Sequence, residues 1–276
     1  MEYLAPQRLD EALEMIGAMD RTVVAGGTDF YPARVGRPLD EPVIDISRVA
    51  ELRGIDPTPD HYRIGALATW SEIRTADLPP EFDGLRAAAS EIGGHQIQNV
   101  GTVGGNLCNS SPAADGIPPL LTLDAHVELA SASATRTLSL EEFLVDYRAT
   151  ALRPDELLTA VVIPRISGLA SSAFEKLGSR RYLVISIAMV AALVVLDDAG
   201  VVIDVRTAVG ACSPVALRLR SLEAELVGMQ AADFPGAVDP RHLSVLDPID
   251  DPRAPASYRL DAVPVLLRRV LSRCAA

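Results

Sequence analysis

Residues 93–116 of this chain are Gly-Gly-His-Gln-Ile-Gln-Asn-Val-Gly-Thr-Val-Gly-Gly-Asn-Leu-Cys-Asn-Ser-Ser-Pro-Ala-Ala-Asp-Gly, with six glycines and three asparagines. Such a segment buries little apolar surface and loses much chain entropy when ordered, so it needs a stabilising partner. The paired glycines Gly104 and Gly105 carry no Cβ and can adopt positive φ, which lets backbone N–H groups approach an anion. The stretch therefore predicts a loop that binds a negatively charged group such as a pyrophosphate.

The same chemistry occurs earlier, where the apolar run Val23-Val24-Ala25 ends in Gly26-Gly27-Thr28-Asp29. This pattern predicts a buried strand with a turn at its end. Neither stretch is a Walker loop, because no Gly-Lys-Ser/Thr follows, and neither has the GxGxxG spacing of a Rossmann turn. Two such turns, each followed by hydroxyl or amide side chains, predict one shared ligand site. The alternative is two ordinary turns.

Charge and composition exclude several classes of protein. The net charge of −12 argues against nucleic acid, whose phosphates would be repelled. The longest apolar run, residues 183–196, is too short to span a bilayer, and the first residues lack the pattern of a signal peptide. We therefore expect a cytoplasmic protein without a membrane span.

Three scattered cysteines, Cys108, Cys212 and Cys274, supply neither a disulfide framework nor a structural zinc site. No Ser-His-Asp arrangement or cluster of metal ligands is evident in the sequence. We therefore expect no catalytic side chain and no metal site in this chain.

Hydrophobic periodicity and capping patterns predict an α+β chain. Helices are predicted at residues 8–20, from Tyr31, from Thr69, at 85–92, from Ile117, from Ser139, and at 217–227 and 262–271. Strands are predicted at 22–25, 43–46, 62–66, 127–130, 135–138, 157–163, 173–177, 187–196 and 201–210, the last three forming an antiparallel meander. Residues 231–257 are predicted to be a loop, and the connection at 167–172 is interpreted as a domain boundary.

The segments Ala25–Asp29, Thr102–Leu107 and Ser111–Asp115 together closely resemble the flavin-pyrophosphate loops in the FAD-binding subunit of molybdenum hydroxylases. That family includes the medium subunit of carbon monoxide dehydrogenase and the FAD portion of xanthine dehydrogenase, and the resemblance covers nearly the whole chain. It implies a two-lobed PCMH-type FAD-binding domain at 1–168, with lobes at roughly 1–55 and 56–168. A small C-terminal domain at 169–276 would contain a three-stranded antiparallel sheet with helices.

The resemblance also implies which residues contact FAD. At the pyrophosphate loops it implies Ala25, Gly26, Gly27, Thr28, Asp29, Thr102, Gly104, Gly105 and Asn106. Ile92, Gly93 and Leu158 would lie near the flavin ring, although Ile92 and Leu158 could equally be core residues.

Two charged residues complete the implied site. Asp115 would hydrogen-bond the ribityl chain, and its alternative role is an N-cap before Ile117. Lys176, the only lysine in the chain, would lie at the pyrimidine end of the flavin, where a cation favours negative charge at N1. Its alternative is a solvated strand lysine. The chain departs from the family at Ser186, where an acidic residue is usual.

The implied activity is non-covalent FAD binding and electron transfer in a larger oxidoreductase. Partner subunits would be a large subunit with the molybdenum cofactor and a small subunit with [2Fe-2S] clusters, arranged as a dimer of heterotrimers. One alternative is a self-sufficient FAD oxidoreductase of the vanillyl-alcohol oxidase type, and another is a protein that kept the fold but lost the flavin. A covalent tether through His95 or Cys108 is a further alternative. The substrate and the final acceptor, whether NAD, a quinone or oxygen, are not specified by this sequence.

Overall fold

The computed structural model describes residues 2–18 and 21–275. Strands and helices alternate along the first part of the chain, and longer strands dominate the second. The strands are β1 (Tyr3–Leu4), β2 (Thr22–Val24), β3 (Val43–Asp45), β4 (Ile55–Pro57), β5 (His61–Gly65), β6 (His126–Ala130), β7 (Thr135–Ser139), β8 (Leu144–Asp146), β9 (Ala149–Thr150), β10 (Leu157–Pro164), β11 (Leu169–Leu177), β12 (Ala188–Leu196), β13 (Val202–Gly210) and β14 (Leu217–Arg218).

The helices are mostly short, apart from the first, the third and the last. They are α1 (Leu9–Ala18), α2 (Trp70–Thr75), α3 (Asp83–Glu91), α4 (His95–Gln98), α5 (Val103–Asn109), α6 (Ile117–Thr122), α7 (Leu140–Phe143), α8 (Arg220–Leu226), α9 (Phe234–Ala237) and α10 (Ala256–Cys274). Turns of 3-10 helix occupy Pro32–Arg34, Ala50–Leu52, Pro80–Phe82, Ala231–Asp233 and Pro240–Leu243. Met19 and Asp20, at the end of the predicted first helix, lie outside the described residues.

Three main sheets divide the chain. β1, β3 and β2 form a parallel sheet, with α1 packing on it through Ala12, Leu13 and Ile16. An antiparallel sheet of order β4-β5-β10-β6-β7 follows, with β10 at its centre because its residues are almost all buried. The predicted hairpin of β6 and β7 is present.

The third sheet is the predicted meander, β11-β12-β13-β14. β12 is a continuous apolar run because both of its faces are covered. Val190 and Val194 join the core formed with α8 and α10, whereas Leu193 and Val195 join the core of the five-stranded sheet. The two-residue strand β14 adds a fourth strand to the three that were predicted.

The first and last parts of the chain meet through two helices. α3 packs against β11, where the Gly84 N–H donates to Ser172 Oγ at 2.8 Å. α6, with all six residues buried, packs against β12 and β13. These contacts bring Asp115, which precedes α6, next to the end of β11.

Several predicted bounds are wrong in detail. The segment at 102–109 was predicted to be a loop but forms α5, and Leu217 belongs to β14 rather than to a helix. The predicted loop at 231–257 contains α9, two 3-10 turns and the first residues of α10. Both predicted capping boxes, Thr69 with Glu72 and Ser139 with Glu142, are confirmed.

Among the described residues, no helix combines the length and the apolar character needed to cross a membrane.

Candidate functional site

A cavity of about 1280 Å³ lies where the parallel sheet, the five-stranded sheet and the C-terminal sheet meet. Every residue that the sequence predicted for the site lines this cavity. They are Ala25, Gly26, Gly27, Thr28, Asp29, Ile92, Gly93, Thr102, Gly104, Gly105, Asn106, Asp115, Leu158 and Lys176. The fold therefore brings together positions that are spread over 150 residues of sequence.

Glycines in the first loop are required by close backbone approach. A Cβ at Gly26 would lie 1.9 Å from the carbonyl oxygen of Val100, so the two glycine-rich stretches touch here through their backbones. Gly27 has a φ of +66°, and a Cβ there would lie 2.5 Å from the Tyr31 ring. Only glycine adopts this conformation and this packing without strain. Backbone packing and the conformation of Gly27 thus fix the shape of the first loop.

The second loop is the first turn of α5. Thr102 is its N-cap, and Thr102 Oγ1 accepts a hydrogen bond from the Gly105 N–H at 3.1 Å. The expectation of positive φ at Gly104 and Gly105 is wrong, because both have helical conformations. Gly104 is needed for packing, since a Cβ there would lie 2.8 Å from the carbonyl oxygen of Ala66.

Gly105 serves a different purpose from Gly104. It is exposed and lines the cavity, and the one atom within 4 Å of a Cβ built there is Thr102 Oγ1, at 2.9 Å. A side chain at this position would therefore project into the cavity. The next residue, Asn106, lines the same wall, and its Oδ1 atom is buried and has no hydrogen-bond partner in the described part of the chain. This arrangement leaves an acceptor and free space for a polar ligand.

Asp115, Lys176 and Ser186 form a buried polar cluster in the cavity wall. Asp115 Oδ2 accepts from Lys176 Nζ at 2.5 Å, and Asp115 Oδ1 accepts from Ser186 Oγ at 2.5 Å. Lys176 Nζ also lies 3.4 Å from the carbonyl oxygen of Glu91. Burial raises the pKa of the Asp115 carboxyl, against the opposing attraction of Lys176. Ser186 thus supplies a neutral hydrogen-bond donor to the Asp115 carboxylate.

Both alternative roles for these charged residues are wrong. The residue before α6 is Gly116, which makes no side-chain cap, so Asp115 is not an N-cap. The Lys176 side chain is only 5 % exposed, so it is not a solvated strand lysine. The cluster is therefore a charged pair inside the cavity wall.

Ile92, Gly93 and Leu158 are apolar or small residues that also line the cavity. Ile92 is the C-cap of α3 and is partly buried, and Gly93 follows it with a φ of +57°. Leu158 is buried on β10 next to an irregularity at Thr159, where the pairing register with β6 shifts. Ile92 and Leu158 both contact the core as well, so each is a core residue and a cavity residue at once.

Some cavity residues were not predicted from the sequence. Arg148 lies at the tip of the β8–β9 hairpin, with a φ of +50°, and its side chain contacts Asp29 and Asn109. Arg259, on α10, is 2 % exposed and donates to the carbonyl oxygen of Ala211 at 3.0 Å. No local pattern distinguishes either arginine from a surface arginine. Cys108 also lines the cavity and is exposed to it.

No group of three or more His, Cys, Asp or Glu residues within 2–18 and 21–275 is arranged to hold a metal ion. The cavity wall instead presents hydrogen-bond donors, namely backbone amides, hydroxyls, the Lys176 ammonium group and arginine guanidinium groups, beside acceptors such as Asn106 Oδ1 and the Asp29 carboxylate. Such donors suit a phosphorylated, hydroxyl-bearing organic ligand.

Family models match both parts of the chain. Residues 1–166 match the FAD binding domain in molybdopterin dehydrogenase, and residues 172–274 match the CO dehydrogenase flavoprotein C-terminal domain. The chain is 36 % identical over 236 residues to the nicotinate dehydrogenase FAD-subunit of Eubacterium barkeri, covering 82 % of this chain and 79 % of that protein. It is 30 % identical over 262 residues to the xanthine dehydrogenase FAD-binding subunit of Escherichia coli O157:H7, covering 92 % and 88 %.

Solved structures share the fold over its full length. The carbon monoxide dehydrogenase of Hydrogenophaga pseudoflava that lacks the Mo-pyranopterin moiety of its cofactor superposes with a TM-score of 0.89 at 27 % identity, covering 99 % of this chain and 96 % of that chain. A Cu,Mo-CO dehydrogenase in a cyanide-inactivated form gives a TM-score of 0.90 at 26 % identity, covering 100 % and 97 %.

Proposed function

The chain belongs to the family of FAD-binding domains in molybdopterin dehydrogenases, and from this premise we propose that it is the electron-transfer subunit of a molybdenum hydroxylase complex. It is part of an oxidoreductase, and its cofactor is FAD. Electrons would reach FAD from the [2Fe-2S] clusters of a partner subunit and leave to an external acceptor. This assignment replaces the vanillyl-alcohol oxidase alternative, since both parts of the chain match this family.

One observation carries the proposal. A single cavity gathers both glycine-rich loops, the Asp115–Lys176 pair and the unpaired Asn106 Oδ1. Its volume of about 1280 Å³ exceeds the roughly 300–1,000 Å³ common for small-molecule sites. A large dinucleotide needs such room, and a phosphate can approach where Gly105 has no side chain.

The residues present fit FAD. The backbone around Gly27 and Gly105 would hold the pyrophosphate, and Asn106 Oδ1 would accept from a hydroxyl group. Lys176, fixed by Asp115, would hold a positive charge at the pyrimidine end of the flavin. FAD itself supplies the exchange between single electrons and electron pairs. The protein binds and orients the cofactor and tunes its potential, so no side chain is assigned as an acid or base.

The partners follow from the same premise. The Hydrogenophaga pseudoflava relative is named a medium chain, with 27 % identity over 99 % of this chain. We propose a large partner with the molybdenum cofactor and a small partner with [2Fe-2S] clusters, assembled as a dimer of heterotrimers.

We also propose that the chain is divided into two domains, at residues 1–168 and 169–276. Its proposed location is the cytoplasm, where thiols such as Cys108 stay reduced.

The absorption spectrum of the purified chain, recorded before and after acid precipitation, tests the cofactor. Flavin absorbance that moves into the supernatant is the expected result and means non-covalent FAD. Absorbance that stays in the pellet would instead indicate a tether, and Cys108→Ser and His95→Gln would then identify the attachment. A colourless chain that also fails to take up added FAD would contradict the proposal.

Affinity purification of a tagged chain from its native cells tests the partners. The expected result is co-purification of one protein containing molybdenum and one containing iron and sulfide, in equal amounts with this chain. The molar mass from light scattering then decides between one heterotrimer and two. Recovery of the flavin-loaded chain alone, at native expression levels, would contradict the assembly.

A further inference from the structure

Arg148 links the two glycine-rich elements of the cavity. Its Nη1 atom donates to Asp29 Oδ2 at 3.2 Å, in the first loop, and to Asn109 Oδ1 at 2.7 Å, at the end of α5. The Arg148 N–H also donates to the carbonyl oxygen of Ser110 at 3.1 Å. The side chain lines the cavity and is 43 % exposed, so solvent or a ligand can reach it.

The turn itself does not explain why this residue is arginine. Arg148 has a φ of +50°, a region in which glycine is unstrained and most other residues cost roughly 1 kcal/mol or more. A glycine or an asparagine would form this hairpin tip more easily. The backbone at Arg148 is therefore strained, and the arginine at this position places a guanidinium group at the cavity wall.

The guanidinium group of Arg148 lies beside a negative charge in the first loop. Asp29 lines the cavity with a carboxylate that is 60 % exposed, and this negative charge would repel a pyrophosphate bound at the same loop. Arg148 compensates that carboxylate. Its contacts with Asp29 and Asn109 both start from Nη1, and Tyr147 also interacts with the guanidinium group. The group carries five N–H donors, so donors remain that are suited to phosphate oxygens.

We propose that Arg148 is a cofactor-binding residue: it offsets the Asp29 carboxylate and donates hydrogen bonds to the pyrophosphate of FAD. The inference rests on the proposed function, because it assumes that the two loops hold the pyrophosphate. It adds a residue from a third chain segment, the β8–β9 hairpin, to the phosphate end of the site.

Titration of the deflavinated full-length chain with FAD and with ADP tests this assignment. Arg148→Gln removes the charge, Arg148→Lys keeps the charge without the planar fork, and Arg153→Gln is the control. Arg153 follows the β8–β9 hairpin, and its side chain is 65 % exposed and lies 3.7 Å from Glu156. The backbone hydrogen bond from Arg153 to Glu156 is not changed by the substitution. Urea unfolding of each deflavinated variant measures stability separately from binding.

The expected result is a Kd for FAD and ADP that is about tenfold or more higher in Arg148→Gln, the size of a charge-assisted hydrogen bond. Arg148→Lys retains part of the affinity, Arg153→Gln matches the wild type, and the urea midpoint of Arg148→Gln equals that of the control. The wild-type Kd also rises more steeply with salt than that of Arg148→Gln, because one screened charge contact is missing in the variant.

Three outcomes would overturn the inference. These are a Kd within twofold of the wild type in Arg148→Gln, an equal loss in Arg148→Lys, or a loss of affinity that accompanies an equal loss of stability. The last outcome would make Arg148 a structural link between loops. If the wild-type chain binds neither FAD nor ADP, the proposed function fails instead, so the two failures are distinguishable.

Discussion

The ammonium group of Lys176 and the carboxylate of Asp115 meet at 2.5 Å in the cavity wall, although 61 residues separate them in the sequence. Their side chains are 5 % and 6 % exposed, so each charge is compensated mainly by the other. Ser186 Oγ donates a hydrogen bond to the other carboxylate oxygen of Asp115, Oδ1, at 2.5 Å. The ammonium is therefore held at a defined point of the cavity, in a setting where losing one partner is costly.

Replacing Lys176 with Met should destabilise the flavin-free chain by about 3–5 kcal/mol, because it leaves the Asp115 carboxylate buried without its cation. Urea unfolding of the deflavinated chain measures the change. The double variant Lys176→Met with Asp115→Leu removes both charges and should regain a large part of the lost stability. If the single and double variants are equally unstable, the pair is not coupled in the way the contact indicates.

Gly105→Val should remove most of the bound FAD while leaving the fold intact. The backbone of Gly105 is helical, so a side chain adds no φ strain, but it projects into the cavity where the pyrophosphate is proposed to bind. Its Cβ would lie 2.9 Å from the capping hydroxyl of Thr102, which must shift, so a loss of about 1 kcal/mol of stability is also expected. Flavin content per chain and the urea midpoint check both parts. Gly17→Ala, in α1, where a Cβ has no neighbour within 4 Å among the described residues, is the control that keeps its flavin. A full flavin complement in Gly105→Val would refute this placement of the cofactor.

Gly26→Ala should weaken FAD binding indirectly, by destabilising the fold, whereas Gly105→Val should block the site itself. Its new Cβ would lie 1.9 Å from the carbonyl oxygen of Val100, so the two loops must move apart. We expect a lower urea midpoint even in the flavin-free chain, with weaker FAD binding as a consequence. Unchanged stability in this variant would show that the close approach of the two backbones is not needed for folding.

Thr102→Val should destabilise the chain by about 1 kcal/mol, the usual effect of losing an N-cap hydroxyl. The change leaves the Gly105 N–H without the acceptor that it has at 3.1 Å. Since the same turn forms the cavity wall, the Kd for FAD should also rise. Thr102→Ser, which keeps the hydroxyl, is the matched control and should retain both stability and affinity. Equal behaviour of the two variants would exclude the capping role.

The stability that the ionised Glu156 side chain contributes should be lost in acid. Arg136 donates Nε to Glu156 Oε1 at 2.7 Å and Nη2 to Oε2 at 2.8 Å, and this contact holds the pKa of the Glu156 carboxyl below its ordinary value. Because the unfolded chain binds the proton more readily, the contribution is present above the ordinary pKa and is lost as pH falls through the lowered one. Glu156→Gln should reduce the free energy of unfolding at neutral pH.

The pH dependence of that variant provides the measurement. Urea unfolding at several values from neutral to acidic pH should give a smaller slope on the acid side in Glu156→Gln than in the wild type. The difference between the two proteins should shrink toward low pH, where Glu156 is protonated in both states of the wild type. A constant difference across the whole range would mean that the loss is one of packing rather than of ionisation.

Local patterns predicted most of the elements but not the form of the glycine-rich stretch. Glycine is a poor helix former, so Gly104 and Gly105 favoured a loop. The structure makes a helix there because Thr102 caps it and Gly104 packs against Ala66, where any larger residue would collide. Tertiary contact thus overrides propensity, and the stretch that was predicted to bind an anion lines the cavity.

The sequence by itself determined nine of the strands, the two glycine-rich stretches and the membership of the family. Each depends on neighbours in the chain: apolar runs such as that of β12 must be buried, and Gly27 supplies a turn that other residues resist. Only the tertiary structure decided that Asp115 pairs with Lys176 and that Arg148 joins Asp29 across 119 residues. Such contacts depend on how helices and sheets pack, because a charged side chain has the same local pattern whether it faces solvent or a cavity.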